Sequence, residues 1–132
     1  AAQLRVPARI VDGEPAVALR RWLRGVGIGD DHEGVVAQRR DLEALVREPP
    51  PPGAIVVLPA LTAQAAVVLA QLGVRAVCCE HGGALGHGAL MARELGLSAL
   101  LGCLGARAIP DGTPMRLDVR RGALRPPTRA RA

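Results

Sequence analysis

The hydrophobic pattern changes character several times along the chain. Ala54 to Leu58 and Val74 to Cys79 are continuously apolar, small or β-branched, as in strands covered on both faces. Between them, Thr62 precedes an apolar run that ends at Leu72-Gly73. A hydroxyl at the start and a glycine at the stop predict a helix between those residues. A second helix is predicted to open at His87, after the pair Gly82-Gly83, and Leu100-Leu101 returns to the sheet. Upstream, Gly34 to Ala37 reads as a short strand, and Asp41 to Val46 as a helical turn or two capped by Asp41. Pro49 to Pro52 forms a stiff connector that ends any preceding helix. Downstream, Pro110-Asp111-Gly112 and Arg120-Arg121-Gly122 are hairpin-type turns flanking the strand Met115 to Val119. Strand, helix, strand, helix, strand and then hairpins predicts an α/β fold, a mixed sheet with helices packed on one side.

The ends carry weaker patterns. Residues 1–22 read as a lead-in or linker, with a turn signal at Asp12-Gly13-Glu14-Pro15. Residues 23–126 form the predicted domain, and 127–132 a flexible basic tail. Gly25-Val26-Gly27-Ile28-Gly29 is neither G-x-G-x-x-G nor followed by Gly-Lys-Ser/Thr, so it reads as a strand with a turn.

Composition narrows the function classes. At 132 residues the chain makes one domain able to bury a core. Hydrophobic content is 49% and Trp22 is the only aromatic, so leucine, valine and alanine must do the packing. All 17 basic residues are arginine, giving a net charge of +5. Six of them lie from Arg116 onward, where a solvated tail accounts for them, and no aromatics interleave with them. Single-stranded nucleic-acid binding therefore has no support. Cys78, Cys79 and Cys103 sit in apolar runs and make no disulfide framework, which predicts reduced thiols in a cytoplasmic protein. No apolar run approaches the roughly 18 residues of a membrane span, and no signal peptide is visible.

His87 is the candidate for chemistry. A strand-like run, a glycine pair and a helix start place its imidazole beside free backbone N–H groups and the positive end of a helix dipole, a site suited to phosphate. A neutral imidazole, with an ordinary pKa of about 6.5, can attack phosphorus and pass the group on. The competing reading puts His87 on a helical stripe with Leu90, Met91 and Leu95, as a core residue. His81 lies near Cys78, Cys79 and His87, but the spacing fits no zinc pattern, so no metal site is expected. His32, in Asp30-Asp31-His32-Glu33, is expected in a solvated loop, and Glu80 has no partner in the pattern.

Several stretches fall into one known register: Gly82-Gly83, His87, Ala92-Arg93-Glu94-Leu95-Gly96 and Leu100-Leu101-Gly102, with Gly53 to Pro59 upstream and Ala108 to Gly112, Leu117-Asp118 and Gly122 downstream. Together they resemble the phosphohistidine swivelling (mobile) domain of PEP-utilising enzymes, among them PEP synthase, pyruvate phosphate dikinase and PTS enzyme I. The resemblance implies a swivelling β/β/α fold and a carrier role, with His87 phosphorylated. Gly83, Gly86 and Arg93 become the candidate phosphate contacts. No cofactor is implied in this chain itself. Mg and ATP or PEP are implied on partner domains, an ATP-grasp nucleotide-binding domain and a PEP/pyruvate-binding domain, in the same polypeptide or a separate chain. Leu85 and Gly86 depart from the pattern, which places Thr and then Ser or Cys there, and Ser98 stands where Pro is usual. Leu85 and Gly86 motivate the alternative of a swivelling-fold domain without phosphotransfer, serving binding or regulation.

Overall fold

A computed structural model describes residues 22–127. The predicted lead-in, apart from Trp22, and the predicted tail, apart from Pro127, lie outside the described residues. In chain order the elements are β1 (Leu23–Arg24), β2 (Val26–Ile28), β3 (His32–Gln38), α1 (Leu42–Arg47), β4 (Ile55–Leu58), α2 (Ala63–Gln71), β5 (Ala76–Cys79), α3 (His87–Leu95), β6 (Ser98–Leu101), a 3₁₀ turn (Ala106–Ala108), β7 (Pro114–Asp118) and β8 (Ala123–Arg125). They build one mixed eight-stranded sheet in the order β1-β8-β7-β3-β4-β5-β6-β2. The central strands β3, β4, β5 and β6 run parallel, and the flanking pairs are antiparallel.

The unbroken apolar runs have a direct cause. Every residue of β4, β5 and β6 is buried, because each strand faces a core on both sides. Val56, Leu58, Val77, Cys79, Ala99 and Leu101 point to the helix layer, where Leu45, Ala66, Leu69 and Ala92 meet them. Their strand neighbours Ile55, Val57, Ala76, Cys78 and Leu100 point the other way, onto Met115, Leu117 and Leu124 of β7 and β8. The antiparallel strands therefore fold back over the second face, and the layers are β, β and α. The turn at 120–122 joins β7 to β8 as a hairpin, whereas the turn at 110–112 leads into β7, which pairs with β3.

One short segment closes the sheet. β1 pairs with β8 and β2 with β6, and only Gly25 separates β1 from β2. Residues 23–28 thus supply both outer strands. At the bend, the Gly25 N–H donates to Gly122 O at 2.9 Å, and a Cβ there would stand 2.6 Å from Leu101 O. Glycine is required for this close approach.

The helix ends follow sequence signals. Thr62 Oγ1 accepts the Ala65 N–H at 3.0 Å, and Asp41 Oδ1 accepts that of Ala44 at 2.8 Å. α2 ends in paired bonds from Gly73 to Ala70 O and from Val74 to Leu69 O, with Gly73 at φ 79°. α3 repeats the device, with Gly96 at φ 75° and Leu97 N–H on Ala92 O. His32 departs from expectation. It is the first residue of β3, and its Nε2 lies 2.8 Å from Gly53 O, which pins the proline connector against the sheet.

Candidate phosphoryl-acceptor site

The carboxyl ends of β4, β5 and β6 form a rim, the position at which open α/β sheets bind ligands. β5 leaves this rim into Glu80-His81-Gly82-Gly83, and α3 starts at His87 on the far side of the loop. The loop is braced from several directions. His81 N–H donates to Pro59 O at 2.9 Å, Gly86 N–H to Gly83 O at 3.2 Å, and Arg93 Nη1 to Ala84 O at 3.1 Å. Gly82 takes φ 110°, which favours glycine, and its carbonyl lies against Gly102.

His87 is exposed, as the first residue of α3. The core reading of its stripe does not hold: Leu90 is 53% exposed, Leu95 is exposed and Met91 half-buried, while Gly88, Ala89 and Ala92 form the buried face. The reason is the closeness of the neighbouring segment. A Cβ on Gly88 would overlap the carbonyl oxygen of Leu61, just ahead of α2, so only the smallest side chains fit between. His87, Leu90 and Leu95 are turned toward solvent, and Met91 packs against the helix-side core only in part.

Gly86 caps α3 without a side-chain hydrogen bond. The first bond along the helix runs from Leu90 N–H to Gly86 O, so the amides of His87, Gly88 and Ala89 have no partner within it. The expected phosphate contacts fall differently around this start. Gly83 and Gly86 are both exposed in the loop, but the Gly86 amide is engaged by Gly83 O. Arg93 is exposed on α3 and holds the loop carbonyl of Ala84. Leu85, two residues before the histidine, is 98% exposed.

Two positioning residues escaped the sequence reading. Gly88 carried a signal, since a small residue directly after the histidine permits the close helix contact. Glu80 carried none. Its Oε2 accepts the N–H groups of Gly105 at 3.2 Å and Arg107 at 3.0 Å, tying the end of β5 to the 3₁₀ turn beyond β6. Partners so far apart in sequence meet only in the fold. His81 is exposed, whereas Cys78 and Cys79 enter opposite cores, so these residues do not converge with His87. Among the described residues, no group of three or more His, Cys, Asp or Glu side chains is gathered to hold a metal ion. No helix among them is long and apolar enough to cross a membrane.

Comparison with protein families matches residues 50–122, more than half of the chain, to the family described as PEP-utilising enzyme, mobile domain. The match runs from the proline connector through β4, the glycine loop and α3 to the turn before β8. A search of curated proteins finds no match to the chain.

Proposed function

The chain belongs to the family of PEP-utilising enzyme mobile domains, and from that premise we propose that it is a phosphohistidine carrier. His87 takes a phosphoryl group from one partner active site and delivers it to another. The observation that carries this reading is an exposed imidazole at the start of α3, on the carboxyl rim of the parallel strands, beside unbonded helix amides.

In the first half-reaction a ring nitrogen attacks phosphorus with its lone pair. The N–P bond forms as the donor's P–O bond breaks, and the leaving oxygen departs with the electron pair. In the second, an acceptor oxygen attacks phosphorus, the N–P bond breaks and the ring recovers its lone pair. The N-terminus of α3 favours the carried negative charge by about 0.3–1 kcal/mol, which biases the transfer without creating it. Donor and acceptor sites belong to partner domains in this reading. One is an ATP-grasp nucleotide-binding domain using ATP and magnesium, the other a PEP/pyruvate-binding domain, and the setting is cytoplasmic.

Incubation with a purified partner domain and labelled PEP or ATP, followed by acid, tests the role. The label is expected to be lost in acid and absent from His87→Ala. Acid-stable label, or full labelling of that variant, would overturn the carrier role. A second reading is favoured by one specific feature, the absence of a hydroxyl beside His87 at Leu85 and Gly86. On this reading the domain no longer transfers phosphate and serves binding or regulation. Labelling that is nil in the natural protein and is switched on by Leu85→Thr with Gly86→Ser would favour it.

A further inference from the structure

The turn between β7 and β8 carries paired arginines, and the fold brings the chain's single aromatic residue to them. Trp22 directly precedes β1, and β1 pairs with β8, so the indole lies beside the hairpin. The guanidinium carbons of Arg125, Arg24 and Arg121 stand 4.9, 5.3 and 5.9 Å from the ring centroid, all within cation–π range. Three like charges around one ring repel one another unless anions come between them. Only Arg125 has an anion: its Nε donates to Asp118 Oδ2 at 2.9 Å. Among the described residues, Arg24 and Arg121 form no ion pair, and Arg24 Nη1 reaches the Arg121 carbonyl at 3.5 Å instead. Both are exposed, as is Arg120 next to them, and Trp22 itself is 39% exposed.

We propose that Trp22, Arg24, Arg121 and Arg125 form a docking surface for an acidic protein segment with a short cluster of Asp or Glu side chains. A guanidinium that lies over an aromatic ring spends its face on the ring and keeps its edge donors for oxygen, where carboxylates bind in fork fashion. Holding long side chains against an indole also lowers the rotamer entropy lost when a partner arrives. Tryptophan and arginine together are the residues that most often anchor protein interfaces. Nucleic acid suits the patch less well. The guanidiniums already occupy the ring that a base would stack on, and charges gathered at one indole cannot track a long phosphate backbone. His87 opens α3 and takes no part in this surface, so docking here stands apart from phosphoryl transfer.

Trp22 is the only aromatic residue, so its fluorescence reports on this surface alone. The whole chain is titrated at low ionic strength with hexaglutamate, and in parallel with hexaglutamine, tripolyphosphate and a single-stranded oligonucleotide. A saturable change in Trp22 emission with hexaglutamate is expected, weakening as sodium chloride is raised. Hexaglutamine should produce none. Arg24→Gln combined with Arg121→Gln should weaken binding by at least about tenfold, the loss of charge-assisted bonds. His87→Ala should bind like the natural protein. No response to hexaglutamate, equal binding by the double variant, or tighter binding of tripolyphosphate or the oligonucleotide would each overturn the proposal. If the double variant does not fold, the natural protein decides through its ¹⁵N–¹H spectrum. The Trp22 indole and the Nε–H signals of Arg24 and Arg121 must then shift with hexaglutamate, and shifts confined to other residues refute the assignment.

Discussion

Gly88 controls more than its size suggests. Any side chain there would collide with the main chain at Leu61, so the residue after the histidine sets how closely α3 approaches α2. We expect Gly88→Ala to lose about 1–3 kcal/mol in urea unfolding, as overpacked cores do. The same variant should also label less, because α3 must shift to admit the methyl group. His87→Ala should unfold like the natural protein within about 0.5 kcal/mol, since an exposed ring supports no core. Asp118 offers a third residue-scale prediction. Burial pushes its carboxyl up, but the Arg121 N–H and the Arg125 guanidinium, 2.9 Å away, outweigh this and hold it below the ordinary 3.8. A lowered folded-state pKa gives stability that is present above the unfolded value and lost as pH falls through the folded one. The stability gap between the natural protein and Asp118→Asn should therefore shrink as pH falls below about 4, measured by urea unfolding across an acid series. A constant gap would contradict the assignment.

At the scale of elements, the three α-helices among the described residues differ in how they begin. α1 and α2 have side-chain caps from Asp41 and Thr62, whereas α3 has only Gly86. Gly86 takes φ −75° and ψ 165°, extended backbone open to any residue, so glycine is not needed there for its conformation. Gly86→Ser should stabilise the fold by a few tenths of a kcal/mol through a new cap, read as a raised urea midpoint. The caps and stops of α2 were legible because their partners lie within one turn of chain. The burial of α3 was not. A stripe of Leu90, Met91 and Leu95 looks like a core face until a neighbouring helix comes too close for anything but Gly88, Ala89 and Ala92.

At the scale of the molecule, residues 23–28 form both outer strands of the sheet, and Gly25 is the bend. Gly25→Val would drive a branched side chain into Leu101 O, forcing β1 or β2 away from its partner. We expect a loss of at least about 2 kcal/mol and concentration-dependent association, because an unpaired β6 edge is a template for another strand. Light scattering alongside denaturation would register both. The glycine-rich pattern at 25–29 signalled a strand with a turn, but nothing local indicates that its halves serve opposite edges.

Periodicity and punctuation alone determined the α/β class, the buried strands, the caps at Asp41 and Thr62, and the glycine loop leading to His87. Those features arise from neighbours a few positions apart, where side-chain spacing and backbone freedom act directly. Only the tertiary structure decided that His87 faces water, that Arg93 braces its loop, that Glu80 clasps the turn beyond β6, and that Cys103 joins the core on the β7–β8 side of the sheet. Each of these depends on which surfaces press together across long stretches of chain, and such distances leave no mark in local order.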